Sequence, residues 1–354
     1  MPCDYCGTAR GAGMRFCPRC GGETGAQGPR NAGRPADASA LRLVALFAAP
    51  LAAAVLIVEC AAMLAGTEMV WNWCADRSMD ILGLLPNLVV IASIQGIQLQ
   101  IAWILIEAAV VASLGYTALR SWRVVRYGQG SLLEKVGRSD IYAIGTVYSM
   151  TLVLNLAIML VSSSAGHGIE VPDELTTGFN AESLLSYADA GVWEEVISRV
   201  VPMGVPMAVA ALAMRRGGAW RFLLGGFGIS KLTLALIVVS ALMFGFAHAG
   251  GWGLSKVAPT FASGLLLGYI YAKVGVHASI AVHFMTDYMA VVAYTDILPL
   301  SLLLSLATIA FIAIGAVCLL MHAMRAGDAK NALQSMETWV PDESESIFSR
   351  RGSD

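Results

Sequence analysis

Charge is scarce in this chain. Asp, Glu, Lys and Arg make up 14% of 354 residues against 57% hydrophobic, and the mean hydropathy is +0.67. Soluble globular domains carry about 25% charged residues, so a soluble enzyme with a single anchor is excluded. Long uncharged apolar stretches recur along most of the length and point to a polytopic membrane protein. No basic stripe offers a nucleic-acid surface, and the net charge of −2 selects no partner. A secretory signal pattern is also missing: the chain begins with cysteines and glycines, and the first apolar run starts only near Leu41.

Cysteine is rare in the apolar part, where Cys60, Cys74 and Cys318 have no partner spacing; the other four of the seven fall in the first twenty residues. In CDYCGTARGAGMRFCPRCGG, Cys3, Cys6, Cys17 and Cys20 form two C-x-x-C pairs separated by a short Gly-rich turn. That spacing can set four thiolates tetrahedrally around a structural zinc ion. A segment this small has no core, so metal binding would supply most of its folding free energy. The alternative is a disulfide-bonded or redox-active tail. Residues 1–22 are therefore expected as a zinc ribbon and 23–40, rich in Gly, Pro and Ala, as a flexible linker.

About eight spans follow, at roughly 42–65, 87–118, 141–163, 183–213, 231–249, 256–273, 276–295 and 298–322, giving a membrane domain over 41–325. Basic residues alternate between loops: Arg30, Arg34 and Arg42; Arg120, Arg123, Arg126, Lys135 and Arg138; Arg215, Arg216 and Arg221; Arg325 and Lys330. The intervening loops carry Glu68, Asp76 and Asp80, then Glu170, Asp173, Glu174 and Glu182. The positive-inside rule then puts both termini in the cytoplasm of a cell-membrane protein, where thiols stay reduced and available to zinc. The tail 326–354 is polar, mixed in charge and expected to be disordered.

Against this background a few ionisable residues stand out, each costing about 2.5–3.5 kcal/mol at the centre of a span on insertion scales. In DAGVWEEVISRVVP, Glu195 and Arg199 are four apart and share a helix face, while Glu194 is turned about 100° away and needs another partner. Phe244 and His248 are four apart near the end of span five, and His283 and Asp287 four apart on span seven. Of the other histidines, His277 and His322 lie at helix ends and His167 in a loop.

Glu194-Glu195-x-x-x-Arg199, Phe244-x-x-x-His248 and His283-x-x-x-Asp287, in this order on separate spans, resemble the three motifs of the CPBP intramembrane proteases, also called the Abi or CAAX-protease family. The resemblance covers roughly residues 140–322, and SGLLLGYIYAKVG (263–275) is similar to the family's segment between its second and third motifs. That family includes the endopeptidase that trims prenylated CAAX proteins and bacterial members linked to bacteriocin processing or self-immunity. The resemblance implies Glu194 as water activator and His248 as a holder of that water. His283 and Asp287 would stabilise the oxyanion or complete a metal site, with Glu195 and Arg199 fixing the helix. It also implies a peptide or protein substrate in or at the bilayer. Apart from the resemblance, the ribbon's cytoplasmic position would let it bind a protein partner or the substrate.

Metal dependence stays open. Two imidazoles and one carboxylate (His248, His283, Glu194) match a catalytic zinc site. A metal-free site needs donors at the oxyanion, and an ionised Asp287 is not one, which leaves it to orient His283. Other hydrolase signatures are missing: no His-Glu-x-x-His helix, no rhomboid-type Gly-x-Ser-Gly, no Gly-x-Gly-Asp, and Ser263 lacks a clear base. The bland readings are a structural Glu195–Arg199 pair, bundle contacts for Glu59, Glu107 and the histidines, and packing for Phe244. Buried Glu, His and Asp also suit a proton-coupled transporter, although no inverted repeat is visible, and a non-catalytic immunity or scaffold protein could keep the same residues. One point resists: the spans place His248 near the outer end of span five and His283 nearer the inner end of span seven. They meet only if span five ends deep and AGGWGLS (249–255) is re-entrant. The expectation is an all-helical membrane protease with a zinc-ribbon head.

Overall fold

The computed structural model describes residues 37–85, 87–167, 179–215, 218–293 and 297–337. The expected ribbon with Cys3, Cys6, Cys17 and Cys20, most of the linker and residues 338–354 lie outside the described residues. Helices dominate. The chain forms α1 (Asp37–Leu46), α2 (Ala48–Ala65), α3 (Thr67–Cys74), a hairpin of β1 (Ser78–Leu85) and β2 (Asn87–Gln95), α4 (Ile97–Tyr127), α5 (Leu132–Val136) and α6 (Asp140–Ser164). A continuous helix α7 (Ala181–Ala213) follows, then α8 (Lys231–Ala247), α9 (Ala249–Trp252), α10 (Val257–Lys273), α11 (Val276–Ala293) and α12 (Leu298–Glu337).

Among the described residues six helical stretches are long and apolar enough to cross a membrane: Leu41–Ala65, Ile97–Tyr127, Asp140–Ser164, Ala181–Ala213, Lys231–Trp252 and Leu298–Met324. They match six of the eight expected spans. The other two form α10 and α11, of 17 and 18 residues. Large apolar side chains such as Ile57, Leu160, Val161, Leu212 and Leu303 point outward, as a lipid-facing surface requires.

Two local departures from the sequence reading shape the site. Residues 87–95, expected as the start of a span, instead form β2, paired antiparallel with β1 from Ser78↔Gln95 to Leu85↔Asn87. The β-branched run Val89-Val90-Ile91 favours a strand, and Gly96, at φ +53, turns the chain into α4. Inside α7, the turns at 190–194 and 196–204 are widened to the π form. Pro202 sits in the second of them and has no N–H to offer. Near its end the chain also differs from expectation: the α12 backbone continues to Glu337, beyond residue 325.

The core gathers around α11, which packs against α2, α4, α6, α7, α10 and α12. Ala278, Ser279, Ala281, Val282, Phe284, Met285 and Tyr288 are all buried. Gly191 on α7 lets α11 come close: a Cβ there would stand 3.0 Å from the Phe284 Cα and 3.2 Å from its N. At the basic end of the bundle Asp140 binds Arg120 Nε at 2.9 Å and His277 Nε2 at 3.2 Å. His277 is thus a brace between α6 and α11, and His322 Nδ1 donates to the Cys318 carbonyl at 2.8 Å. In the loop beyond, a capping box starts α5, and the Ser131 backbone N–H bound to Glu134 holds that carboxyl below its usual range.

Candidate active site

The three motifs converge. Glu194 Oε2 lies 3.8 Å from His248 Nε2 and 3.7 Å from His283 Nε2, and His283 Nε2 lies 3.3 Å from Asp287 Oδ2. The difference in depth foreseen for His248 and His283 is bridged because α8 ends at His248, while His283 stands in mid-helix on the buried α11.

Each imidazole is oriented from behind. His248 Nδ1 is 2.9 Å from the Phe244 carbonyl, which can only accept, so Nδ1–H donates and Nε2 faces Glu194. His283 Nδ1 donates in the same way to Glu195 Oε1 at 2.8 Å. The second motif's four-residue spacing thereby acquires a physical reason: Phe244 holds His248 through its backbone and stacks edge-on to both His248 and His283, at centroid distances of 4.8 and 5.8 Å.

Glu195 and Arg199 are fully buried behind these rings, Nε to Oε2 at 3.6 Å. This is a charge contact longer than a hydrogen bond. Arg199 Nη1 donates to Ser240 Oγ at 2.8 Å and to the Ser198 carbonyl at 3.1 Å, and the guanidinium lies 4.8 Å over the Phe244 ring. Glu195 also accepts from Ser279 Oγ. Charge and hydrogen bonds are thus supplied from three helices, which is what makes an ion pair tolerable in an apolar interior.

Glu194 differs from Glu195 in facing space: its side chain is 28% exposed against 0%. It stands in the wall of a cavity of about 570 Å³. Val192, Val196, Ile197, Phe244, Leu105 and Ile106 supply an apolar lining, and Asp189, His248, Trp252 and β1 complete it.

Several contributors went unread in the sequence: Ser240, Ser279, Asp189, Trp193 and β1. Ser279 lies four residues before His283 on the same face, a spacing that could have revealed it. Ser240 carries no local signal. Ser263 is bound to Asn155 Oδ1 at 3.1 Å, in keeping with its lacking a base. Glu107 accepts from Thr67 Oγ1, and Glu59 is fully buried in the bundle. A zinc ion on Glu194, His248 and His283 would need donors about 2 Å from one point. Among the described residues no group of three or more His, Cys, Asp or Glu side chains is arranged to hold a metal ion.

Comparison with known proteins bears on the same residues. No curated protein and no solved structure matches the chain. Residues 178–289, about a third of the chain, match the family model described as type II CAAX prenyl endopeptidase Rce1-like, and the matched segment holds all three motifs from Glu194 to Asp287. Over that segment the chain is similar to a family of intramembrane endopeptidases, and the match supports membership of the CAAX-protease group.

Proposed function

We propose that the chain is an intramembrane endopeptidase in which Glu194 activates the attacking water. The observation that carries this reading is one partly exposed carboxylate, facing two imidazole Nε2 atoms within 4 Å, in the wall of an apolar cavity. Glu194 takes a proton from water as the oxygen attacks the peptide carbonyl carbon. The resulting oxyanion is met by the Nε2–H of His283, which as an imidazolium donates Nδ1–H to Glu195 and holds its second proton on Nε2 beside Asp287. Glu194 then passes its proton to the amine nitrogen as the C–N bond breaks, leaving a carboxylic acid and an amine, which end as carboxylate and ammonium once the acid proton moves to the amine. Asp287 and Glu195 hold His283 in register, and Arg199 balances the Glu195 charge.

The substrate is a peptide or a protein segment in or at the bilayer. With both termini cytoplasmic, the cavity opens on the opposite side. Its lining from α4 comes from Ala102, Leu105 and Ile106, and Arg120 stands 18 residues, about 27 Å, further along the same helix. The N-terminal cysteines hold a structural zinc ion, and the ribbon is a docking element for a protein partner.

The test is a comparison of new protein N-termini in membranes from cells carrying the wild type or Glu194→Gln. Cleavages present with the first and absent with the second are expected. An identical set in both would overturn the assignment and leave the binding or scaffold role.

A further inference from the structure

The chemistry uses one part of the cavity wall, and another part is a strand. Met79, Asp80, Ile81 and Leu82 of β1 all line it. Successive side chains of a strand point to opposite faces, so four consecutive residues can border one space only along the strand's edge. Beside Leu84, the lining includes only Leu88 and Ile94 from the hairpin's other strand. β1 spends its other edge on β2, and among the described residues the sheet has two strands.

That edge is anchored next to the candidate base. Trp193, the residue before Glu194, donates its Nε1–H to the Leu82 carbonyl at 2.7 Å. The Leu82 carbonyl therefore points away from β2 toward the helix that carries Glu194. The register shift between Ile81 and Leu82, where Ile81 faces Ala92 and Leu82 faces Val90, falls at the same place. The extra residue, Ile91, belongs to β2, so β1 keeps its regular alternation through Leu82. The surroundings are apolar, with Leu105 and Leu88, both exposed, at the rim.

On the protease reading above, we infer that the outer edge of β1 is the substrate's backbone-recognition element: the scissile segment lies beside it as an added, extended third strand with apolar side chains in the cavity. The occupant follows from the chemistry. A helical peptide keeps its carbonyls bonded within its own ladder and hidden from an attacking water. Unwound in an apolar setting, its backbone groups need new partners, and a free strand edge supplies N–H and C=O groups at matching spacing. An apolar lining selects apolar side chains, and proline fails wherever its missing N–H should meet β1.

The test uses full-chain Glu194→Gln in lipid vesicles and a fluorescein-labelled, C-terminally amidated octapeptide of alternating alanine and leucine, read by anisotropy. Single N-methyl groups are placed along it one position at a time. Binding is expected to fall at least tenfold at every second position and less than twofold at those between. Trp193→Phe, which keeps a ring but frees Leu82, is expected to weaken the unmethylated peptide severalfold. No binding, a loss equal at all positions, or a loss without a period of two would overturn the inference. The two readings fail separately. Alternation without any cleavage dependent on Glu194 would remove the protease reading alone. Cleavage dependent on Glu194 without alternation would remove the edge alone.

Discussion

Replacing Gly191 by alanine tests whether the spacing of two helices sets the site. The new Cβ would stand 3.0 Å from the Phe284 Cα, 3.2 Å from its Cβ and 3.2 Å from its N. Carbon atoms rest comfortably at about 3.5–4.0 Å, and two of these neighbours are backbone atoms that no rotamer change can move. α7 and α11 must part by a few tenths of an ångström at this level. Glu195 is one turn beyond Gly191 and His283 is next to Phe284, so the strain falls on their 2.8 Å hydrogen bond. Lengthened by about 0.3 Å it reaches about 3.1 Å, toward the long end of the ordinary range. Overpacking costs about 1–3 kcal/mol; a misplacement of about 1 Å at a catalytic group costs about 10²-fold in rate, so about a third of that shift is expected to cost about fivefold. The assay is cleavage of a reporter built from a sequence found in the N-terminus comparison, with thermal unfolding measured on the same samples. Gly115→Ala is the control, because nothing lies within 4 Å of its would-be Cβ. A Gly191→Ala rate within twofold of wild type would refute the argument that close helix contact aims His283.

Two further outcomes follow from the charges and the cysteines. Arg199→Met strands the buried Glu195 carboxylate and is expected to destabilise the protein by about 3–5 kcal/mol. Adding Glu195→Gln should restore much of that stability but not cleavage, since His283 loses a charged anchor; unfolding curves of the single and double variants decide it, and equal stability of both would refute the pairing. For zinc, the full chain is expected to bind one ion that is lost in Cys3→Ser/Cys6→Ser, as measured by elemental analysis. An ion that persists in that variant and disappears with His248→Ala would return Glu194, His248 and His283 to the role of ligands.

The sequence exposes most of the helices, because long apolar runs are their direct signal, and it exposes the six polar residues of the site, because charge inside such runs is costly. It hides what depends on distance. The run Leu88–Ala92 is apolar at every position, and an uninterrupted apolar run has no period that separates a strand from the first turns of a span. β2 is therefore read as the start of span two and β1 as part of the loop before it, and the hairpin's part of the cavity wall is lost. The widened turns of α7 are invisible for a similar reason: Pro202 announces a bend but not which residues absorb it. Gly191 and Ser240 matter through Phe284 and Arg199, which are 93 and 41 positions away in the chain, and no local pattern reports such a pairing.

Glu194 and Glu195 are adjacent and chemically identical, yet the fold divides their work, and the division is measurable. Glu195 touches α11 through His283 and Ser279, and its partner Arg199 touches α8 through Ser240. Removing one member of that group leaves a buried charge or donor without a partner, so stability and chemistry fall together. Glu194 makes no contact short enough to be a hydrogen bond among the described residues, its nearest basic atoms standing at 3.7 and 3.8 Å, and it faces the cavity. Glu194→Gln keeps its size and removes only its proton affinity, so unfolding should stay close to wild type while cleavage drops by about 10²–10⁴-fold. A brace loses both properties and a base loses one. If Glu194→Gln unfolded as readily as Arg199→Met, the first glutamate would be a second brace, and the water would have to find its base elsewhere in the cavity wall, where Asp189 is the remaining carboxylate on the same helix.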